Sequence, residues 1–123
     1  MLFHSSRGKD PDKDFASILM QGLADDGGLF MPDHWPQVDL DEIKSKTSFV
    51  DIAKCIVPLF TSSSFSRDET INIVESTWHD FEHQDLIGIK DFNSVSILEL
   101  FHGPTAAFKD FGLQLAAAFF NKV

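Results

Sequence analysis

The fold of this chain is decided by residues 99–110, which read ELFHGPTAAFKD. An apolar segment at residues 95–100 predicts a strand, and the Gly-Pro pair at positions 103 and 104 predicts a turn after it. The next segment, from about residue 106 to residue 121, is apolar on nearly every side, which is typical of a helix covered on several faces. Strand, turn and buried helix in this order predict an α/β fold.

Lys109 is the only cation in this apolar stretch, between Phe108 and Phe111. Burial there would favour a neutral amine over an ammonium ion, and a neutral amine forms a Schiff base with an aldehyde cofactor. The alternative is a surface lysine at the start of a helix, where the helix dipole disfavours a cation. The residues alone leave both interpretations open.

The composition excludes several classes of partner. Apolar residues make up 43% of the 123 residues and charged residues 24%, an ordinary globular balance. The net charge of -9 argues against nucleic acid and anionic membranes as partners. Cys55 is the only cysteine and is interpreted as a small buried hydrophobe. No membrane-spanning run and no leader pattern is present, so we expect a reduced, cytoplasmic protein.

Residues 1–93 are predicted to be mostly helical with short strands. Strands are expected within residues 1–5, 29–31 and 86–89, and a helix over residues 14–23. Three more helices are expected to begin at pairs with capping-box spacing. These pairs are Asp39 with Glu42, Ser48 with Asp51, and Ser66 with Glu69.

Two of these helices carry further expectations. Pro58 is expected to kink or end the helix that begins after Ser48. The apolar face of the helix after Ser66 is expected to run from Ile71 through Trp78 to Phe81.

Two short patterns suggest sites but favour plainer explanations. Residues 79–83 read HDFEH, which fits the H-x-x-E-H pattern of inverted zinc peptidases, with two histidines on one helix face. A charged helix end is the favoured interpretation, and no metal site is predicted. Gly27 and Gly28 lack the spacing of a phosphate-binding loop, so a turn is favoured there.

Residues 99–112, ELFHGPTAAFKDFG, resemble the segment that carries the pyridoxal-phosphate lysine in the threonine synthase family. Three more stretches agree in order: SSRG at residues 5–8, with Ser6 where the family usually has Thr; QGLADDGGLFMP at residues 21–32; and the helix at residues 48–58. Together they cover nearly the whole chain, but only the N-terminal part of such an enzyme.

The resemblance implies a fold-type-II enzyme that converts O-phospho-L-homoserine and water to L-threonine and phosphate. It implies that Lys109 holds pyridoxal 5'-phosphate as an internal aldimine and moves protons during the reaction, so Lys109 is the predicted catalytic and cofactor-binding residue. His102, Gly103, Pro104 and Thr105 would shape the turn before it. Arg7 lies in a family motif without an assigned role.

The resemblance also implies a division of the chain. Residues 1–93 would form the N-terminal domain, and residues 94–123 the truncated start of the catalytic domain. A glycine-rich loop for the cofactor phosphate, a partner for the ring nitrogen and a second lobe are not seen in this sequence. We therefore expect this chain alone to be inactive and not to hold the cofactor stably.

Two alternatives remain open. One is a threonine-synthase-like phospholyase that acts on another phosphorylated amino acid. The other is a non-catalytic, partner-binding fragment, which a reading frame ending at Val123 would support. In either case the apolar last helix is expected to self-associate, burying Leu115, Phe119 and Phe120 against a second copy.

Overall fold

The computed structural model describes the whole chain, residues 1–123. Five helices and four short strands follow one another, which confirms the α/β class. In chain order they are β1 (Phe3–Ser5), α1 (Phe15–Gln21), β2 (Phe30–Pro32), α2 (Leu40–Lys44), α3 (Phe49–Thr61), α4 (Arg67–Glu75), β3 (Gly88–Phe92), β4 (Val95–Glu99) and α5 (Asp110–Phe120). None of the helices combines the length and apolarity that crossing a bilayer requires.

The strands form two separate antiparallel pairs. In the first pair, β1 runs against β2 with Phe3 opposite Pro32. In the second, β3 and β4 form a hairpin with Phe92 opposite Val95, and Asn93 in the two-residue turn has a φ of 53°. Asparagine is one of the few residues that tolerates this left-handed conformation. The proposed boundary between residues 93 and 94 falls inside this turn.

The three predicted helix starts are confirmed, although only one has a complete capping box. The Ser66 side chain accepts a hydrogen bond from the Glu69 backbone, and the Glu69 side chain accepts one from the Ser66 backbone. Asp39 accepts backbone N–H bonds at the start of α2, and Ser48 accepts one from Asp51 at the start of α3. The aspartate and serine caps therefore satisfy early N–H groups in all three helices.

Pro58 does not end α3, which continues to Thr61. Pro58 was expected to kink or end the helix, and the end is not formed because packing outweighs the one backbone hydrogen bond that proline cannot make. Pro58 and Thr61 are both buried, and the Thr61 hydroxyl lies 2.8 Å from that of Thr70 on α4. Contact between α3 and α4 thus holds the helix together beyond the proline.

The apolar face predicted for α4 ends early, because the helix stops at Glu75 and Trp78 adopts a φ of 65°. Trp78 still reaches the core, where it is 5% exposed and packs edge-on against Phe49 at 5.1 Å. Its indole Nε1 donates a hydrogen bond to the Phe111 carbonyl oxygen at 3.0 Å. The loop after α4 is therefore tied directly to α5.

The other end of α5 is anchored by Phe119, which is 1% exposed. Its ring lies 5.1 Å from the Phe15 ring of α1 and 5.3 Å from the Phe65 ring. The expectation that a second copy buries Phe119 was wrong, since this chain buries it alone. Leu115 is half-buried here, and Phe120 is 47% exposed.

The adjacent residues Phe119 and Phe120 give a matched test of this packing. We expect Phe119→Ala to lower the free energy of unfolding by about 3–5 kcal/mol, because it leaves a cavity between Phe15 and Phe65. Phe120→Ala removes a half-exposed ring, so its effect should be several-fold smaller. Urea denaturation followed by Trp fluorescence measures both, and equal losses would contradict the assignment.

Candidate functional site

Lys109 lies at the junction between the turn after β4 and the first residue of α5. It occupies the N-cap position with φ −67° and ψ −14°, and its side chain makes no capping hydrogen bond. The side chain is exposed and takes part in none of the ion pairs. This placement matches the alternative interpretation, a surface lysine at the start of a helix, and it leaves the amine accessible to an aldehyde in solvent.

The apolar burial expected around Lys109 is not formed within this chain. The helix begins at Asp110 rather than near residue 106, so Phe108 and Lys109 belong to the turn. Phe108 is 72% exposed. Phe111 packs away from this turn, with its ring 5.1 Å from Phe49. The apolar neighbours in sequence therefore leave one side of Lys109 uncovered.

The turn before Lys109 is closed by the buried carboxylate of Asp110. Asp110 is 4% exposed and accepts hydrogen bonds from the backbone N–H of Thr105 at 2.9 Å and from its hydroxyl at 2.5 Å. The Thr105 hydroxyl is the main cause that lowers the pKa of Asp110. A Cβ on Gly103 would lie 2.5 Å from Asp110 Oδ2, so only glycine fits at that position. The turn is thus a tightly specified structure.

A second polar cluster lies at the end of β4. Glu99 is 8% exposed, with Lys90 Nζ 2.7 Å from its Oε1 and His102 Nε2 3.1 Å from its Oε2. The hydrogen bond from Lys90 is the main cause that lowers the pKa of Glu99. The His102 ring also lies 4.7 Å from the His83 ring. These contacts fix the path of the chain from β4 into the turn that His102 was expected to shape.

The N-terminal motif that contains Arg7 builds a turn of its own. The Ser5 hydroxyl donates to Asp26 Oδ1 at 2.6 Å, and Arg7 Nη1 donates to the Asp26 carbonyl oxygen at 2.9 Å. Gly27 has a φ of 75°, and Gly28 leaves no space for a Cβ beside Ser5. The turn predicted at Gly27 and Gly28 is confirmed, and these contacts give Arg7 a structural role.

Two other sequence features differ from expectation. His79 and His83 lie in an irregular segment after α4, so they do not share a helix face, and no group of three or more potential ligands converges on a metal site. Cys55 is half-buried, with its Sγ 3.6 Å from Glu42 Oε1. It therefore lines a polar groove rather than an apolar core, because α2 and α3 place Glu42 beside it.

The sequence singles out Lys109 and the turn at Gly103 but not the two carboxylates beside them. Asp110 adjoins Lys109 in sequence, and Glu99 lies within the predicted strand. Both are acidic residues that end up buried, which periodicity does not reveal. The one signal in the sequence was the position of Glu99 and Asp110, a charged residue at each end of the largely apolar segment 99–110.

Lowered carboxyl pKa values predict a loss of stability in acid. Asp110, Glu99 and Asp26 all have a pKa below their ordinary values of 3.8 for Asp and 4.5 for Glu. The unfolded chain therefore binds protons more readily than the folded chain, and stability is lost as the pH falls through these lowered values.

We expect the urea midpoint to hold from about pH 7 to about pH 5 and to fall below about pH 4.5. Asp110→Asn should reduce the size of this fall, because it removes one of the titrating groups. Equilibrium urea denaturation at each pH measures the effect. A midpoint that stays constant down to about pH 3 would contradict it.

The model of the family described as "Threonine synthase N terminus" matches residues 2–78. Threonine synthase from Pseudomonas aeruginosa is 36% identical over 126 residues, covering 100% of this chain and 27% of the relative. Threonine synthase from Schizosaccharomyces pombe is 38% identical, covering 95% of this chain and 24% of the relative. The chain thus spans about a quarter of the length of these relatives.

Solved structures agree with the sequence comparison. The crystal structure of PLP-bound threonine synthase from Brucella melitensis superposes with a TM-score of 0.91 at 33% identity, covering 99% of this chain and 27% of that one. Threonine synthase from yeast superposes with a TM-score of 0.86 at 33% identity, covering 98% of this chain and 26% of that one. Sequence and fold together show that this chain belongs to the threonine synthase family and corresponds to its N-terminal region.

Proposed function

We propose that this chain supplies the N-terminal domain and the cofactor-bearing lysine of a threonine synthase that converts O-phospho-L-homoserine and water to L-threonine and phosphate. The single observation that carries the proposal is the placement of Lys109. Its amine is exposed and unpaired at the junction of a tightly held turn and α5. The division into an N-terminal domain at residues 1–93 and the start of a catalytic domain at 94–123 belongs to the same proposal.

The residues present fit pyridoxal phosphate at its aldehyde end. Lys109 Nζ forms no ion pair, although its charge helps to lower the pKa of Asp110, so it is available to bind the aldehyde carbon covalently. When bound, the cofactor supplies an electron sink for charge that develops on the substrate. Lys109 Nζ also takes and returns protons at the substrate carbons.

The other parts of the cofactor site are proposed to come from regions of the enzyme that this chain does not match. The chain covers 27% of the Pseudomonas relative, and its sequence contains no glycine-rich phosphate loop. We expect the isolated chain to bind the cofactor only transiently and to have no turnover, because a single covalent contact leaves the phosphate and ring unsupported.

Borohydride trapping tests the role of Lys109. We expect pyridoxal phosphate with borohydride to label Lys109 several-fold more than Lys9 and Lys122, which are also exposed. The reason is that the open apolar surface beside Lys109 retains the cofactor ring. Peptide mass spectrometry measures the label at each lysine. Without borohydride, the absorbance of the complex should disappear on desalting.

Lys109→Ala is the control for this experiment and should remove only the label at position 109. Equal labelling of Lys9, Lys109 and Lys122 would contradict the proposed role. A strong absorbance that survives desalting would contradict the proposal that stable cofactor binding depends on the rest of the enzyme.

A phospholyase acting on another phosphorylated amino acid is the second candidate. This candidate is kept because the chain is also similar to "Threonine synthase-like 2" from Homo sapiens, which is 34% identical over 97% of this chain. That identity is close to the 36% shared with the Pseudomonas threonine synthase. Turnover of O-phospho-L-homoserine by the protein joined to a complete catalytic region would separate the two candidates.

Self-association remains part of the proposal, although its surface differs from the one expected. The exposed large apolar side chains of the hairpin, the turn and α5, which include residues on both faces of the hairpin, leave open apolar surface on this chain. They are Ile89, Phe92, Val95, Ile97, Leu98, Phe101, Phe108, Leu113 and Phe120. Patches of this kind on a folded protein mark an interface. We propose that the rest of the enzyme covers this surface and that a second copy covers it in the isolated chain.

Sedimentation velocity at rising concentration tests the self-association. We expect Ile97→Lys to weaken it about tenfold or more, because the change places a charge in the proposed interface. Met20→Lys is the matched control, since Met20 is also exposed but lies on α1. A clean monomer at high concentration, or equal effects of both changes, would contradict the proposal.

A further inference from the structure

We propose that Asp110 is a positioning residue for Lys109: its carboxylate, bound to Thr105 over Gly103, fixes the turn from which the lysine side chain projects. The inference rests on the proposed function of Lys109 and adds the residue that orients it.

Asp110 carries a buried charge without an ion pair. Asp110 is 4% exposed, and it forms no ion pair with a lysine, arginine or histidine. A buried carboxylate is costly unless hydrogen bonds satisfy it, and here Thr105 supplies two, from its backbone N–H and its hydroxyl. The carboxylate is therefore committed to holding Thr105, five residues before it in the chain.

The contact between Asp110 and Thr105 also holds an unusual backbone conformation in place. Ala106, just after Thr105, has a φ of 53°, a conformation that costs free energy for a residue with a Cβ. Gly103 approaches the Asp110 side chain so closely that no Cβ would fit. Such a turn persists only where the surrounding contacts require it, and the Asp110–Thr105 bonds close it.

The peptide group after Lys109 is held at both of its polar atoms. The Lys109 carbonyl oxygen accepts the Leu113 N–H at 2.9 Å, and the Asp110 N–H donates to the Ala107 carbonyl oxygen at 3.1 Å. The backbone of Lys109 is thus fixed while its side chain is exposed. This combination gives the amine a defined starting point without a contact that blocks it.

The start of α5 departs from the usual pattern of helix N-termini. Serine, threonine, aspartate and asparagine are preferred at the N-cap because their side chains accept N–H bonds, whereas lysine has no acceptor and adds a cation at the positive end of the dipole. α5 nevertheless begins with Lys109 at this position and without a side-chain cap. Departures of this kind are expected at functional positions.

Borohydride trapping in variants of this pair tests the inference. The measured quantity is the ratio of pyridoxal-phosphate label on Lys109 to label on Lys122 in the same molecule. We expect this ratio to fall about tenfold in Asp110→Asn and in Thr105→Val, since each removes a hydrogen bond to a charged group. Thr105→Ser keeps the hydroxyl and should restore the wild-type ratio.

Thr61→Val is the matched control, because it also removes a threonine hydroxyl that hydrogen-bonds to a neighbour, the one paired with Thr70. It should leave the label ratio unchanged. Amide hydrogen exchange should show faster exchange at Thr105 in the Asp110 variant and unchanged protection around Phe119. Thr105→Val serves as the second variant if Asp110→Asn does not fold.

The outcomes separate this inference from the proposed function. No preference for Lys109 in the wild-type chain overturns the proposed function of that lysine. A wild-type preference that persists in Asp110→Asn and Thr105→Val overturns the positioning role alone. If Thr105→Ser also loses the preference and protection around Phe119 is lost, the effect is one of helix stability. This outcome also overturns the positioning role.

Discussion

The position of α5 depends on aromatic side chains that pack against both of its ends. Near its start, Phe111 contacts Phe49 and Phe81, and its carbonyl oxygen accepts the Trp78 indole hydrogen bond. Near its end, Phe119 fits between Phe15 and Phe65. Ring packing of this kind buries a large apolar area and also sets preferred angles between the rings. The helix that follows Lys109 is therefore fixed by residues from α1, α3 and the loops after α3 and α4.

This arrangement explains how a region with little chemistry of its own contributes to a site. The helices α3 and α4 carry no residue assigned to the reaction, yet they supply the surface on which α5 rests. Because α5 begins directly after Lys109, the direction of the helix determines where the lysine backbone lies. The N-terminal turn affects α5 only indirectly. Ser5, Asp26 and Gly28 build this turn at the end of β1, and Phe3 of β1 contacts Phe15 of α1.

The parts of the fold that were predicted from sequence depend on local rules, and those that were missed depend on contacts between distant residues. Helix starts at Asp39, Ser48 and Ser66 follow from side chains that cap their own helices. The continuation of α3 beyond Pro58 depends on α4, and the burial of Phe119 depends on α1, so neither is visible in the local pattern. Within the proposed site, Lys109 could be identified from its motif, whereas the burial of Asp110 and Glu99 could not.

The exposure of Lys109 and its apolar sequence context have a common explanation. Phe101 and Phe108 flank the turn and are 53% and 72% exposed, although large aromatic residues are usually buried where they can be. In the hairpin before the turn, Ile89, Ile97 and Leu98 are each at least 50% exposed. They lie on both faces of the two strands. A two-stranded sheet with apolar residues on both faces is not stable by itself, so it requires a covering surface. The covering surface would lie next to Lys109, so it would also exclude water from the Lys109 amine. The chemistry proposed for Lys109 therefore depends on the same contacts that would cover the apolar residues around it.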